Sequence, residues 1–269
     1  MTNAFHAFEH AGWQRAAAAY PDTFGHVTAQ AVEPLLDAVG AAPGVRLLDV
    51  ATGPGYVAAA AARRGASAIG VDFAPAMVEY ARSIHPGLDI REGDAMALAF
   101  EPATFDAAVA AFGLLHFDRP EHALVEMRRV LRLGGLAAFT VWMPPERAVG
   151  FGMVLDAIAA HGTTVTSLPP GPPFFQFSDP KECERAFAGA GFSSVKVVEV
   201  PMTWRLPTAD ALFDAMATGG VRTAALLNAQ SPEARNAIRR ALAEKTAPYV
   251  RDGEIVLPMP GVLASATAR

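Results

Sequence analysis

Residues 45–56 read VRLLDVATGPGY, an apolar segment that runs directly into a glycine-rich turn. The apolar residues from Val45 to Val50 predict a buried strand, and the residues from Val57 to Arg64 predict a helix that ends at Gly65. A helix start offers free N–H groups and a positive dipole end, and glycine lets the backbone approach a ligand closely. The stretch is therefore typical of a site for a nucleotide-like ligand.

Strands and helices alternate regularly up to residue 142. We predict further strands at 68–71, 88–92, 105–112 and 136–142, and further helices at 75–84 and 120–131. Such alternation indicates a parallel sheet that is covered by helices on both faces. Later in the chain we predict strands at 195–203 and 255–264 and helices at 148–161, 179–190, 209–227 and 232–250. These late elements are expected to add antiparallel strands to the sheet edge, with helical insertions above it.

Composition excludes several classes of protein. The chain has 269 residues, 52% of them hydrophobic, yet no apolar run approaches the roughly 20 residues that a membrane-spanning helix needs. The N-terminus has no basic start before an apolar run, so we expect no secretory signal and a cytoplasmic location. The single cysteine, Cys183, excludes an internal disulfide framework, and no metal-binding motif is present. A net charge of −5 without a basic stripe argues against a nucleic-acid partner.

The turn alone is ambiguous about its ligand. Residues 53–58 satisfy the pattern G-x-G-x-x-A, which also fits an NAD-binding turn. Asp72 ends the second predicted strand, roughly 20 residues further on, where a carboxylate can accept hydrogen bonds from the two ribose hydroxyls. The turn and Asp72 together therefore indicate a ligand that carries a ribose.

Two further acidic positions argue against NAD. Asp49 precedes the glycines at the end of the first strand, where it would repel a pyrophosphate but suit a cationic amino group. Asp94, in the turn Gly93-Asp94-Ala95 after the third strand, is placed to accept a hydrogen bond from an adenine amino group. Three strand-end carboxylates suit a cationic amino acid joined to adenosine better than they suit a dinucleotide.

With these motifs, residues 45–142 closely resemble the class I S-adenosylmethionine (SAM)-dependent methyltransferases of the small-molecule type. The chain is similar to the ubiquinone and menaquinone biosynthesis methyltransferases, whose first motif is usually D-x-G-x-G-x-G. Here that motif stands as residues 49–55, with Ala51 in place of the first glycine. The family's R-V-L-x-x-G-G motif corresponds to residues 129–135, with Leu133 where proline is common.

The resemblance implies a fold, a cofactor and a division of the chain. The fold is a Rossmann-like, doubly wound, seven-stranded and mostly parallel sheet with an antiparallel edge and helical lid insertions. Residues 1–44 are expected to form an N-terminal helical cap and 45–147 the SAM-binding core. Residues 148–178 would form a lid insertion, and 179–269 would complete the sheet and add further lid helices. The proline-rich loop 167–177 is either an ordered rim or a mobile gate.

The resemblance also assigns roles around SAM. Asp72 would hold the ribose, Asp94 the adenine amine and Ala95 the base, while the backbone at Gly53 and Gly55 would lie against the methionine part. A second group is expected to line the cofactor or to pack around it, and it comprises Ala51, Phe73, Met77 and Phe112. For Phe73 and Met77, helix–strand packing is an equal alternative to contact with the adenine.

Catalytic and acceptor residues give weaker signals. His116 lies just beyond the fourth strand, at the sheet edge where such sites form, and it is either a general base or a residue that packs or contacts the cofactor. The resemblance implies that Tyr20 and Phe24 in the leader form part of a lid that closes over the cofactor, with core packing as an equal alternative. In the later segment, Phe174, Phe175 and Trp204 would contact an apolar or aromatic acceptor or form the lid's own core.

We therefore expect a SAM-dependent methyltransferase that acts on a small, apolar or aromatic metabolite at oxygen, nitrogen or carbon, and that releases S-adenosylhomocysteine. One alternative is an NAD(P)-dependent oxidoreductase, although the chain has no Tyr-x-x-x-Lys pair to support it. A second alternative is a protein of the same fold that binds SAM without turnover.

Overall fold

A computed structural model describes residues 3–164 and 168–269. Residues 1 and 2, at the start of the predicted cap, and residues 165–167, in the predicted lid insertion and at the start of the proline-rich loop, lie outside the described residues. The strands are β1 Arg46–Val50, β2 Ser67–Asp72, β3 Asp89–Glu92, β4 Phe105–Ala111, β5 Leu131–Trp142, β6 Phe192–Val200, β7 Thr203–Leu206, β8 Val250–Arg251, β9 Glu254–Pro258 and β10 Gly261–Ala268.

Helices alternate with the strands up to β5, and several more helices follow later in the chain. The α-helices are α1 Ala4–Ala16, α2 His26–Thr28, α3 Val32–Ala38, α4 Tyr56–Arg63, α5 Pro75–Ile84, α6 Pro120–Val130, α7 Val149–His161, α8 Pro180–Gly189, α9 Ala209–Thr218, α10 Arg222–Asn228 and α11 Pro232–Thr246. A π-helical turn over Pro21–Gly25 joins α1 to α2. In the described part of the chain, no helix has the length and apolar character needed to cross a membrane.

Seven strands form the main sheet in the order β3-β2-β1-β4-β5-β10-β6. Strands β1 to β5 pair in parallel, and β10 runs antiparallel to both β5 and β6. The predicted fold class, a mostly parallel doubly wound sheet with an antiparallel edge, is thereby confirmed. Since the chain leaves β1 toward β2 and later returns to β4 on the other side, the carboxyl ends of β1 and β4 meet at a topological switch point.

Helices cover both faces of the main sheet, whose central strands are largely apolar and buried. In β4, for example, the residues Ala107 to Ala110 are fully buried, and the small side chains let helices pack closely from either side. A separate three-stranded sheet, in the order β7-β9-β8, lies in the later part of the chain and contacts α7 and α9. This small sheet was not predicted from the sequence.

Three late elements were predicted as single pieces, and the structure divides each one. The predicted strand 255–264 is wrong, because Pro258 and Pro260 lack the N–H donors that a continuous strand needs, and β9 and β10 join different sheets. The predicted helix 209–227 breaks at Gly219 and Gly220 into α9 and α10. The predicted strand 195–203 is divided at Pro201, where β6 has ended and β7 soon begins.

Candidate functional site

The glycine-rich turn holds three residues with positive φ angles. Ala51 has φ 54°, Gly53 has φ 52° and Gly55 has φ 80°, and α4 begins directly after them. Glycine adopts this left-handed region readily, whereas alanine pays a steric cost of about 1–2 kcal/mol. Ala51 therefore keeps the glycine-like conformation of the turn despite its side chain.

Asp49 lies beneath this turn with no exposed surface. Its Oδ2 accepts hydrogen bonds from the Thr52 hydroxyl at 2.6 Å and from the Ala58 N–H at 3.1 Å. Its Oδ1 is buried and has no hydrogen-bond partner among the described residues. Burial raises the pKa of the Asp49 carboxyl to about 7, against the opposing effect of those two hydrogen bonds. Asp49 lines none of the three cavities described below, so it contacts the site only through Thr52 and the start of α4.

Asp72 stands at the carboxyl end of β2 and faces the same turn. Its Oδ2 accepts from the Gly53 N–H at 2.8 Å, and its Oδ1 accepts from the Ala74 N–H at 3.0 Å. These bonds fix the carboxylate while one edge stays accessible, since the residue is 6% exposed. Burial raises the pKa of Asp72 to about 6, and the backbone hydrogen bonds only partly offset this effect.

Two adjoining cavities open over the turn. The turn cavity encloses about 640 Å³ of space, counted to its mouth, and is lined by Ala51, Gly53, Asp72, Phe73, Met77 and Phe112 among others. The acidic cleft continues from it with about 300 Å³ and is lined by Asp72, Asp94, Ala95 and His6 among others. Because both cavities share Asp72, they provide one elongated site along the carboxyl ends of β1, β2 and β3.

A third cavity, the aromatic cavity, lies on the other side of the turn cavity. It has about 430 Å³ and is walled mainly by rings, with one guanidinium: Phe24, Trp142, Phe151, Phe174 and Arg222. The rings contact one another closely, as Phe24 stacks on Phe151 with centroids 5.8 Å apart. Such walls suit a flat, largely apolar molecule.

The turn cavity and the aromatic cavity share a wall made of Trp13, Tyr20, Thr28, Phe112 and His116. Phe112 directly follows β4 and has φ 55°, a left-handed conformation that is rare for a bulky residue. Its N–H donates to the Thr140 carbonyl at 2.9 Å, and its ring lies 4.4 Å from that of Trp142. Strained residues of this kind cluster at functional sites, and this one faces both cavities.

His116 lines all three cavities and is held by a carboxylate from α1. Its Nδ1 lies 2.9 Å from Oε2 of Glu9, whose side chain is 0% exposed. The other oxygen of Glu9 accepts from Nε of Arg222 at 2.8 Å. The Trp13 ring packs edge-on against the imidazole, 4.8 Å away. Thus α1, the turn after β4 and the start of α10 meet at one buried carboxylate.

Close packing of α1 brings these groups together. The buried face of α1 carries Phe5, Glu9, Gly12 and Ala16, so a carboxylate stands within an otherwise apolar or small stripe. A side chain at Gly12 would overlap Val221, the residue before Arg222. Glycine at this position therefore lets α1 approach α10 closely enough for Glu9 to reach the guanidinium.

The remaining predicted site residues lie around these cavities. Tyr20 lines both larger cavities, and Phe24 and Phe174 line the aromatic cavity. Trp204 and Phe175 lie behind that lining, where Trp204 contacts Phe24 at 4.8 Å and Phe175 contacts Phe174 at 4.9 Å. Gly55 caps α4 and lines no cavity among the described residues.

Sequence reasoning missed Glu9 and Arg222. The spacing of Phe5, Glu9, Gly12 and Ala16 puts an acid on the apolar face of a helix, and this signal was available in the sequence. Arg222 gave no local signal, because its role depends on contacts with residues more than 100 positions away. Trp142 and Phe151 were visible as aromatic residues, but only the fold brings them together.

Comparison with known proteins agrees with this geometry. A family model described as a methyltransferase domain matches residues 48–139. The demethylmenaquinone methyltransferase of Renibacterium salmoninarum is 42% identical over 101 residues, which cover 38% of this chain and 43% of that protein. The matches to this protein and to two further demethylmenaquinone methyltransferases span about half the length of those relatives, between 43% and 52%.

A longer match extends beyond the central core. The nocamycin O-methyltransferase of Saccharothrix syringae is 30% identical over 246 residues, covering 84% of this chain and 86% of that protein. The solved structure of the YcgJ protein from Bacillus subtilis has the same fold, with a TM-score of 0.58 at 19% identity over 89% of this chain and 98% of that one. The chain belongs to the class I SAM-dependent methyltransferase family.

The residues of the site fit SAM. The buried Oδ1 of Asp49 has no hydrogen-bond partner among the described residues and so remains free to accept one, and Asp72 adds a second carboxyl group in the wall of the turn cavity. A Cβ built on Gly53 meets no atom within 4 Å, so the turn backbone is open to a ligand. An acidic site with an open backbone edge suits a sulfonium and ammonium cation joined to a ribose.

Proposed function

We propose that this protein transfers a methyl group from SAM to a small, flat and largely apolar acceptor bound in the aromatic cavity. The observation that carries the proposal is the wall shared by the turn cavity and the aromatic cavity. Because only a few side chains separate the two cavities, a donor in one and an acceptor in the other would lie side by side. SAM supplies an electrophilic methyl group on a positively charged sulfur.

On the donor side, two carboxylates are proposed to hold SAM. Asp72 accepts hydrogen bonds from the ribose hydroxyls, because its orientation is already fixed by Gly53 and Ala74. Asp94, whose Oδ1 accepts from the Met96 N–H at 2.8 Å, binds the adenine amine in the acidic cleft. The negative charges also favour the cationic donor over its neutral thioether product, which assists product release.

On the acceptor side, the rings position the substrate and exclude water. Positioning supplies much of the rate in a displacement of this kind, since the two reactants must be held in line. His116 lies on the shared wall, next to both proposed ligands, and it would receive a proton from an acceptor that must lose one. The nocamycin O-methyltransferase, which matches most of this chain, supports a small-molecule acceptor.

Calorimetric titration with SAM, S-adenosylhomocysteine and NAD tests the donor side. We expect binding of the first two and none of NAD, and tighter binding of NAD than of SAM would overturn the proposal. Asp72→Ala should weaken SAM binding by about 1–3 kcal/mol, the range for a lost hydrogen bond to a charged group. Glu79→Ala, at an exposed position on α5, serves as the matched control.

A panel of small aromatic phenols, amines and active-methylene compounds tests the acceptor side, with transfer of a labelled methyl group as the readout. We expect at least one flat, largely apolar acceptor to be methylated. SAM binding without transfer to any member of a broad panel would favour a protein that holds SAM without turnover.

A further inference from the structure

We infer that Glu9 is a positioning residue that fixes His116 as a proton acceptor, and that the acceptor is therefore a hydroxyl group, either a phenol or an enol. The inference rests on the proposed function and deepens it, because it names the atom to be methylated. It begins from the contact between Glu9 Oε2 and His116 Nδ1 at 2.9 Å.

The contact selects one tautomer of the imidazole. An ionised carboxylate can only accept hydrogen bonds, so Nδ1 of His116 must carry the hydrogen that it donates to Glu9. In the neutral ring, Nε2 is then left with a free lone pair. A histidine oriented in this way by a carboxylate is prepared to accept a proton at Nε2, and the carboxylate stabilises the cation that results.

Arg222 holds the Glu9 carboxylate in place. Its Nε donates to Glu9 Oε1 at 2.8 Å, and its two terminal nitrogens donate to the carbonyls of Pro172 at 2.8 Å and Leu115 at 2.6 Å. The guanidinium also lies over the Phe5 ring, 4.5 Å from its centroid. Because Arg222 is anchored on several sides, the carboxylate cannot rotate away from His116 without losing a buried ion pair.

Packing alone gives no reason for an acid at this position. Burying a carboxylate costs several kcal/mol unless it is well paired, and an apolar side chain would close the same helix face without that cost. Glu9 instead divides its two oxygens between a cation and an imidazole. This arrangement is the one expected when the carboxylate orients a titratable partner.

The tautomer points to the class of acceptor. A hydroxyl group is a weak nucleophile until it loses its proton, and a phenol or enol can give that proton to an imidazole as the bond to the methyl carbon forms. The O–H bond breaks and its proton passes to Nε2 of His116, while an electron pair on that oxygen forms the bond to the methyl carbon. The carbon–sulfur bond of the donor breaks with its electron pair left on sulfur, giving the neutral thioether. The rings of the aromatic cavity suit the conjugated body of such an acceptor.

Nitrogen-15 NMR of the histidine side chains tests the tautomer without any acceptor. We expect His116 in the wild-type protein to carry its hydrogen on Nδ1, in both the absence and the presence of S-adenosylhomocysteine. In Glu9→Gln the amide can donate as well as accept, so we expect a mixture of tautomers, while Glu9→Asp should keep the wild-type form. A wild-type ring protonated on Nε2 alone would overturn the inference, whether or not the variants fold.

Kinetics with matched coumarins test the acceptor class. We expect 7-hydroxycoumarin to be methylated and 7-aminocoumarin not, with kcat for the hydroxyl compound lowered about 10²-fold in Glu9→Gln and its KM changed less than threefold. Glu9→Asp should recover part of kcat. In a protein that already carries His116→Gln, adding Glu9→Gln should not lower kcat further. Methylation of the amine in preference to the hydroxyl, or an unchanged kcat in Glu9→Gln, would contradict the inference.

Failure of the inference can be told apart from failure of the proposed function. SAM affinity reports on the proposed function, and we expect Glu9→Gln to bind SAM within about threefold of the wild type, because Glu9 lines none of the cavities. A purely structural role for Glu9 would lower the melting temperature and leave both the tautomer and kcat unchanged, and that result would also overturn the inference.

Discussion

The Cβ atom of Ala51 fills the space that a side chain at Gly113 would need, since a Cβ built on Gly113 would lie 2.8 Å from it. Ala51 belongs to the turn after β1 and Gly113 to the turn after β4, so the contact joins the two strand ends at the switch point. Gly113 has φ −86°, a conformation that any residue can adopt. Glycine is therefore needed at position 113 to make room for the Ala51 methyl group, and the backbone conformation of Gly113 does not require it.

A double-mutant cycle with Gly113→Ala and Ala51→Gly tests this relationship. Gly113→Ala should lower the free energy of unfolding by about 1–3 kcal/mol through overpacking. In an Ala51→Gly background the same substitution should cost less than half as much, because the obstructing methyl group is absent. Urea unfolding of the four proteins gives the coupling energy, and additive effects within 0.3–0.5 kcal/mol would show that the residues are independent.

Asp49 makes folding sensitive to pH in the absence of ligand. Its pKa is about 7 in the folded protein and near 3.8 ordinarily, so its ionised form opposes folding at high pH and its protonated form has no such cost. Asp49→Asn should therefore stabilise the ligand-free protein by about 1–3 kcal/mol above pH 7, and the gain should vanish near pH 4. Urea unfolding across this range provides the measurement, and a gain that does not vary with pH would contradict the assignment.

Binding of SAM should depend on the ionisation of Asp72. Its pKa of about 6 means that the carboxylate is ionised above this pH and takes up a proton as the pH falls through it. We expect about tenfold weaker binding one pH unit below the pKa, since roughly a tenth of the carboxyl groups remain ionised there. In Asp72→Asn the part of the pH dependence centred near pH 6 should disappear. Calorimetric titration between pH 5 and pH 8 distinguishes the two profiles.

A substitution at Phe151 should weaken binding of the acceptor and leave binding of SAM almost unchanged. It is buried, lines only the aromatic cavity, and contacts Phe24 and Trp142 with ring centroids 5.8 Å and 5.3 Å apart. Phe151→Leu should raise the KM for an aromatic acceptor several-fold while SAM affinity stays within about threefold, because a flat ring loses its stacking partner. Phe187→Leu, in the core behind the sheet, is the control for a general loss of stability. Equal effects of the two variants on KM would contradict the prediction.

The central core could be predicted from the sequence because its signals are local. Each strand of residues 45–142 is a short apolar run, each helix follows a turn residue, and three acids mark strand ends. The structure places β1, β2, β4 and α5 within a residue or so of their predicted bounds. Beyond residue 142 the signals weaken, and elements such as β9 and β10 could not be assigned to separate sheets from sequence alone.

The acceptor side depends on contacts between distant segments. Glu9 and Arg222 are 213 positions apart, and no periodic pattern links them. Phe112 illustrates the same limit, since its left-handed backbone conformation cannot be read from neighbouring residues. The sequence thus predicted the glycine-rich turn as a ligand site but did not predict that α1 packs beside it.

The aromatic cavity is built almost wholly outside the part of the chain that the methyltransferase-domain model matches. Among its described lining residues, only Phe112 and His116 fall within residues 48–139, which the family model matches. The remaining walls come from the leader, from Trp142 at the end of β5 and from segments after β5. The leader lines both cavities, whereas none of the described segments after β5 lines the turn cavity. Changes in the late segments can therefore reshape the aromatic cavity and leave the lining of the turn cavity intact. Exchange of these late segments between relatives is thus a practical test of whether the aromatic cavity sets acceptor choice.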